Sequence, residues 1–461
     1  MAPMKPSLDQ IRTIVVVMME NRSFDHFLGY LSLPPYNWPN VNGIKTDPEW
    51  VAKASSLYNG TTFPPFPLTD PFDAIDADPP HERDNIAVQM GDSAGGVFPM
   101  NGFVTNYALA KGAKAIVPES QPPVMGYFGA KQIPVIDFFA QNFAICDHWF
   151  SSLPGGTQPN RLMAMSGFSK LEVNQLPLPE QDLIYDWLTQ NGIRWRVYHQ
   201  GMPFFGMMLK WLPSILTEDH FRPLERFYDD VQNEPPGEFP QVIFVEPTYT
   251  DAPHLGESSD DHAPSAVKPG QEFLLEVYRC ISRVPDVWNS SVMIVSYDEH
   301  GGFFDHVSPP AIPTLAPTGI NYKEGAFQTL GVRVPGIVVS PFVSPKTVHN
   351  EILDHTSILK FIGQKFGKNG SYSDLVDKRP VGSVFDILNE SAARPAPIIP
   401  SLDSYLAQET PSAGFTPGTT PDAAIPKNFQ VALDNIRNHP DNTTGKFADL
   451  LAAFPPRPDV A

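Results

Sequence analysis

Five short apolar runs, rich in β-branched residues, recur along the chain: Ile14 to Met18, Arg194 to Tyr198, Val242 to Val245, Val292 to Ser296 and Gly336 to Val339. Near-continuous runs of this length suit strands covered on both faces. Helical spacing lies between them. One helix is predicted from Gln271 to Ile281, just after Pro269-Gly270. Another begins near Thr356, with Thr356 and Ser357 as capping candidates ahead of Ile358-Leu-Lys-Phe-Ile362. Strands alternating with helices predict an α/β chain on a doubly wound, mostly parallel sheet with helices on both faces. No internal repeat is visible.

The pattern weakens from Tyr36 to Ala115, which is rich in Pro, Gly, Asp and Asn. This reads as a long loop insertion, about 36–115, after the first strand unit. Its aromatics Trp38, Trp50, Tyr58, Phe63, Phe66, Phe72 and Phe98 could line an apolar mouth or bury themselves on a core of their own. From about Arg394 the chain is again Pro-rich. The division expected is one domain over 1–393 and a C-terminal segment, 394–461, wrapping it; a flexible linker is the bland alternative.

Composition narrows the class. Hydrophobic residues are 42% and aromatics 11%, enough for a large core and against disorder. Proline is 51 of 461 residues, about twice ordinary usage, which predicts long ordered loops, where sites usually sit. The net charge is 32 − 51 = −19 and no Lys/Arg-rich run occurs. That argues against nucleic acid and against docking on anionic lipid, leaving at most transient peripheral membrane contact. Two cysteines, Cys146 and Cys280, exclude a disulfide scaffold and a Cys-rich zinc module. No apolar run is long enough to span a bilayer. Thr13 to Met19 could mimic the core of a signal peptide, but it is short and runs straight into a polar motif. The expectation is a buried strand, no cleaved leader, and a cytoplasmic or peripheral membrane-associated protein.

Candidate chemistry gathers where the predicted strands end. In an open parallel sheet, ligands bind outside the carboxyl ends of the strands. Here the first strand is followed by Glu20-Asn21, the second by His199, the third by Glu246 and the fourth by Tyr297-Asp298-Glu299-His300. Glu20, Asn21, Asp298 and Glu299 all offer oxygen, which hard divalent cations prefer. Adjacent carboxylates such as Asp298 and Glu299 repel unless a cation lies nearby, although a solvated acidic turn reads the same way. Gly301-Gly302 would let the backbone turn sharply past a ligand.

Thr157 precedes Pro159, which suits a first helical turn, and Leu162-Met-Ala-Met165 continues the helix. A helix N-terminus favours an anion. A hydroxyl there, beside a cation, can lose its proton and attack phosphorus. An ordinary threonine cap fits the same residues.

Three blocks carry a resemblance: Glu20-Asn-Arg-Ser-Phe-Asp-His26, Thr157-Gln-Pro-Asn-Arg161, and Asp298-Glu-His-Gly-Gly-Phe-Phe-Asp-His306-Val-Ser-Pro-Pro310. They look like the signature blocks of the phosphoesterase family of non-haemolytic-type phosphatidylcholine phospholipases C and related acid phosphatases, within the alkaline-phosphatase-like superfamily. The match runs in order from about Ile11 to about Phe366. The resemblance implies an alkaline-phosphatase-like fold and a catalytic α/β phosphoesterase domain. Glu20, Asn21, Thr157, Asp298 and Glu299 match the family's metal positions, and Thr157 also matches its nucleophile, which is Ser in the acid phosphatases. His81, His199 and His262 resemble phosphate-contacting histidines. The other nine histidines read as structural or surface residues.

Together these readings predict a phospholipase C-type hydrolase that cleaves phosphatidylcholine-like lipids to diacylglycerol and a phosphorylated head group through a phospho-threonine intermediate. One divalent cation is expected: oxygen ligands favour Ca²⁺, with Mg²⁺ or Mn²⁺ as alternatives to it. The rivals are a soluble phosphomonoesterase and a non-catalytic cation- or lipid-binding protein. Intact Glu20, Thr157, Asp298 and Glu299 disfavour the last.

Overall fold

The computed structural model describes residues 5–68, 78–109, 120–175, 178–211, 214, 219–235, 237–250, 257–323 and 325–399. An eight-stranded sheet forms its centre: β1 (Thr13–Met19), β2 (Ala144–Cys146), β3 (Trp195–His199), β4 (Phe221–Pro223), β5 (Val242–Glu246), β6 (Ser291–Tyr297), β7 (Gly336–Val339) and β8 (Thr347–His349). The spatial order is β8-β2-β7-β6-β1-β5-β3-β4. Every neighbouring pair is parallel except those made by β7, which runs antiparallel to β6 and β2. The five predicted runs are thus all strands of one mostly parallel sheet. Every residue of β2, β3, β5, β6 and β7 is buried, so both faces are covered, as their unbroken apolar character requires. β2, β4 and β8 were not foreseen; each is three residues long, too short to leave a periodic signal.

Helices used below are α1 (Phe24–Leu28), α2 (Arg83–Met90), α3 (Thr157–Ser166), α4 (Lys268–Ser282) and α5 (Thr356–Phe366). One predicted start needs correction. α4 begins at Lys268, with Pro269 inside its first turn, where a missing N–H breaks no helical bond. α5 begins at Thr356, as predicted, with His355 at the cap position; its first N–H is met by Asp354 and not by Thr356 or Ser357, Asp354 Oδ1 accepting from Thr356 N at 2.8 Å and from Thr356 Oγ1 at 2.6 Å.

The insertion is more ordered than its sequence suggests. It holds helices Pro48–Ala54, α2 and Phe103–Ala108 and a hairpin pairing Ser56–Tyr58 with Thr61–Phe63. Phe63 lies in a second core with Ile86, Phe103, Val104, Phe303 and Phe304, against which Trp50, Tyr58, Phe66 and Phe98 pack. Trp38 packs on the main core instead. Of these aromatics Phe63 is buried, while Trp38, Trp50, Tyr58, Phe66 and Phe98 keep part of their surface exposed; Phe72 lies outside the described residues. The start of the C-terminal segment lies on the domain. Trp288 Nε1 donates to Arg394 O at 2.8 Å, and Tyr278 Oη donates to Pro397 O at 2.8 Å. The rest of that segment, 400–461, lies outside the described residues.

Register positions the site. Met19 of β1 is level with Tyr297 of β6, so Glu20 and Asp298 leave the sheet side by side. Asp298 N donates back to Met19 O at 3.1 Å.

Candidate active site

Glu20 and Asn21 follow β1, and Asp298 and Glu299 follow β6; all four are at most 3% exposed. Asn21 takes the left-handed backbone conformation, φ 63°, which asparagine tolerates better than most residues. Its N–H donates to Asp298 Oδ1 at 3.2 Å. With its amide oriented to satisfy both ends, Asn21 Nδ2 donates to Glu299 Oε1 at 2.7 Å and to Asp298 Oδ1 at 3.3 Å, while Oδ1 accepts from His262 Nε2 at 2.8 Å. His262 Nδ1 lies 3.1 Å from Glu20 Oε2. His81, just ahead of α2, donates Nδ1–H to Pro79 O at 2.7 Å and turns Nε2 to within 4.0 Å of Glu299 Oε1. The His81 and His262 rings lie 5.6 Å apart. The chain therefore assembles Glu20, Asn21, Asp298, Glu299, His81 and His262 in one cluster.

Thr157 is the first residue of α3, and Gly156 occupies the cap position. Its neighbours from Gly155 to Asn160 are buried, but Thr157 is only half-buried. The threonine is thus not the cap, and its hydroxyl has no hydrogen-bond partner among the described residues. The turn before it is built by Asn160, whose Oδ1 accepts from Leu153 N at 2.9 Å and whose Nδ2 donates to Gly155 O at 2.8 Å. Asn174 Oδ1 accepts from Gln158 N at 2.8 Å. One turn along, Arg161 reaches the carboxylates: NH2 donates to Glu20 Oε1 at 3.0 Å, and Nε stands 3.4 Å from Asp298 Oδ2. Residues four apart share a helix face, so Thr157 starts the face that ends on Glu20 and Asp298.

His199 ends β3 on the same sheet edge, level with Glu246 of β5. Two strand spacings, about 10 Å, separate β3 from β1. Its Nδ1 donates to Gly201 O at 2.7 Å. The structure brings it to the edge, two strands from the cluster around Glu20 and Asp298.

Burial and mutual charge set the electrostatics. Burial raises the Asp298 carboxyl to about 6, against the pull of Arg161 and with help from Glu299. Burial raises Glu20 as well, opposed by Arg161 and His262. For Glu299 burial acts upward but is outweighed by His81 and His300, leaving the carboxyl below its ordinary range. His81 shows the converse: burial acts downward, yet Glu299 and Asp78 carry it up to about 9.

One atom bears on whether these residues suit a cation. Asp298 Oδ2 is buried with no hydrogen-bond donor among the described residues. That oxygen faces the Arg161 Nε at 3.4 Å without a hydrogen bond, and with two further carboxylates and an amide it makes a fitting donor set for a hard divalent ion. Two other groupings bring ligand atoms within 4.8 Å of one another at this edge, Asp78 with His81 and His262, and Glu20 with Asp260 and His262. A third, Asp25 with Asp305 and His306, already surrounds a cation: Arg333 donates Nε to Asp305 Oδ1 at 2.9 Å and NH2 to Asp25 Oδ1 at 3.1 Å.

Sequence reasoning missed Arg161, Asp260, Asp78, His300 and His355. His300 Nδ1 lies 3.3 Å from Glu299 Oε2 while its Nε2 meets Gln89 Oε1 at 2.7 Å. His355 Nε2 meets the Asp298 carbonyl at 2.7 Å. Position inside the signature blocks flagged Arg161 and His300; nothing local marks Asp78, Asp260 or His355.

Comparison with known proteins gives the family. The model of the Phosphoesterase family matches residues 11–368. Non-specific phospholipase C6 of Arabidopsis thaliana is 32% identical over 381 residues, 78% of this chain and 69% of that protein. Phospholipase C B of Mycobacterium tuberculosis is 28% identical over 488 residues, 92% of this chain and 87% of that protein. The chain spans about two thirds of the length of the plant relatives it matches, between 62 and 69%. Among solved structures, a protein in the alkaline phosphatase superfamily from Vibrio parahaemolyticus aligns with a TM-score of 0.30 at 11% identity, over 50% of this chain and 60% of that one.

Proposed function

The chain belongs to the phosphoesterase family, a family of hydrolases of phosphoric esters, and from that premise we propose that it cleaves the phosphodiester of phosphatidylcholine-like lipids through a covalent phospho-threonine. The observation that carries the reading is Thr157: a hydroxyl not used for capping, at a helix start, on the helix face that meets Glu20 and Asp298. The names of the relatives, phospholipases C, support the substrate class.

In the first half-reaction Thr157 Oγ1 attacks phosphorus. The bond to the glycerol oxygen breaks, its electron pair leaves with the diacylglycerol alkoxide, and a histidine supplies the proton. In the second, water attacks the phospho-threonine, and the phosphorylated head group leaves with Thr157 Oγ1 regaining a proton. The N-terminal dipole of α3 favours the anionic phosphoryl group. His81, raised to about 9 by Glu299 and Asp78, keeps a proton on Nε2 for a phosphoryl oxygen. His262, with Nδ1 on Glu20 and Nε2 on Asn21, holds those two ligands in place beside the phosphoryl group. His199 serves the far side of the substrate, where the departing group lies. A divalent cation, Ca²⁺ before Mg²⁺ or Mn²⁺, held by Glu20, Asn21, Asp298, Glu299 and Thr157 would neutralise the nonbridging oxygens.

A product assay tests the reading. Wild type and Thr157→Ala are given phosphatidylcholine micelles and, separately, p-nitrophenyl phosphate. The wild type should release diacylglycerol and phosphocholine with a kcat/KM above that for the monoester. Thr157→Ala should lose several orders of magnitude of turnover with its fold intact. Residual activity above a few per cent would remove Thr157 as nucleophile. Faster turnover of the small monoester with no diacylglycerol would make the protein a phosphatase.

A further inference from the structure

One side chain joins the helix of Thr157 to the strand ends. Arg161 is 3% exposed. Its guanidinium packs into the angle of two rings set edge to face at 72°, 4.7 Å from the centroid of Phe204 and 4.8 Å from that of Tyr249. Its edges are used on three sides: NH1 donates to Tyr249 Oη at 3.0 Å, NH2 to Glu20 Oε1 at 3.0 Å, and Nε pairs with Asp298 Oδ2 at 3.4 Å. A planar fork held by three polar partners and packed on two adjoining rings has one orientation, which an ammonium on a flexible stem cannot copy. Tyr249 follows β5, Glu20 follows β1 and Asp298 follows β6, so the guanidinium spans three adjacent strands. It takes one oxygen of Glu20 and leaves Oε2 to His262; it faces Oδ2 of Asp298 and leaves Oδ1 to the Asn21 and Glu299 N–H groups.

We propose that Arg161 is a positioning residue for the cation ligands. It holds the Glu20 and Asp298 carboxylates apart from each other, in a fixed orientation, and at a fixed distance from the helix that carries Thr157. The inference rests on the cation-dependent reading above and adds to it a residue that touches neither substrate nor cation. Its positive charge opposes a bound cation. Its benefit is geometric: two buried carboxylates keep one arrangement before the cation arrives. Outer partners of metal ligands commonly contribute about 10–100-fold in metal affinity.

Arg161→Lys keeps the charge and removes the fork; Arg161→Gln removes both. Ca²⁺, Mg²⁺ and Mn²⁺ are titrated calorimetrically into each metal-stripped protein, with melting temperatures and circular dichroism recorded alongside. Arg161→Lys should keep its fold and bind the preferred cation about tenfold or more weakly than wild type, with kcat falling in parallel. Equal cation affinity in Arg161→Lys and wild type would overturn the inference. So would a lowered melting temperature with unchanged affinity, the signature of a purely structural role. Tighter binding by Arg161→Gln would mean that the guanidinium acts only as a competing charge, and would overturn it too. Failure of the wild type to bind any of the three cations would refute the cation reading itself, and this inference with it.

Discussion

Asp261 shows how much a single buried group governs next to this site. It sits in the left-handed conformation, φ 70°. Its Oδ2 accepts from the Tyr297 hydroxyl at 2.6 Å, and its carbonyl accepts from Arg22 Nε at 2.7 Å. Burial lifts its carboxyl from 3.8 to about 7; Tyr297 and Arg22 oppose the rise and neighbouring Asp260 adds to it. Between those values the folded chain holds a proton that the unfolded chain has lost. The stability this group contributes is therefore fully present below about pH 4 and disappears as pH rises through 7. Asp261→Asn cannot titrate. Relative to wild type it should gain stability between about pH 4 and about pH 8, by at most about 4 kcal/mol; denaturant unfolding at the two pH values measures it, and a pH-independent difference would refute it. Legibility at this scale was uneven. Glu20, Asn21, Asp298 and Glu299 were readable because each follows an apolar run that had to be a strand. Asp260 and Asp261 were not, since they lie in a loop after β5 and only its return to β1, where Glu20 N donates to Asp260 O at 2.8 Å, brings them to the site.

At the scale of elements, the exit of β6 decides whether the two ligand-bearing strand ends can meet. Gly301 has φ 64°, and a Cβ there would come within 2.2 Å of Asn21 O; Gly302 has φ 73°, with a Cβ 2.8 Å from Pro79 Cβ. The sequence suggested that these glycines let the chain turn, and the structure adds what they turn past: the loop of Asn21 on one side and that of His81 on the other. Gly301→Ala faces both a disfavoured conformation, costing roughly 1–3 kcal/mol, and a collision with backbone that cannot swing aside. It should lose at least about 2 kcal/mol of unfolding free energy and most of its activity. A variant with wild-type stability and turnover would show that the loops have slack. Farther along the same segment, Asp305 is tied to Asp25 of α1 through Arg333, and His306 pairs with Asp25 directly, so the first and third signature blocks are fastened together. Residues this far apart in sequence offer no local sign of such a pairing.

At the scale of the molecule, charge and surface bear on the substrate. The net charge of −19 repels anionic bilayers at close range and less so in salt. Among the described residues no helix is long and apolar enough to cross a membrane. On the proposed activity, hydrolysis of phosphatidylcholine in vesicles should slow when phosphatidylserine is mixed in, and added salt should restore part of the rate. A rate that rises with anionic lipid would point to a basic surface outside the described residues. The insertion bears on the same question. Its aromatics were candidates for an acyl-chain mouth; Phe63 is taken up by a second core, while Trp50, Tyr58, Phe66 and Phe98 pack against that core with part of their surface exposed.

The sequence by itself determined the layered α/β class, the five central strands and the edge at which the chemistry gathers. Unbroken β-branched runs can be satisfied only by burial on both faces, and residues that end parallel strands must share one edge. Tertiary structure alone decided which of those end residues meet. The one-to-one register of β1 and β6 sets Glu20 beside Asp298, whereas His199, with the same sequence credentials, stands two strands away because β5 lies between. It also decided that Arg161 joins the cluster. A helical arginine carries no local mark of its partner, and only the packing of α3 across the ends of β1, β5 and β6 gives its guanidinium two carboxylates to hold.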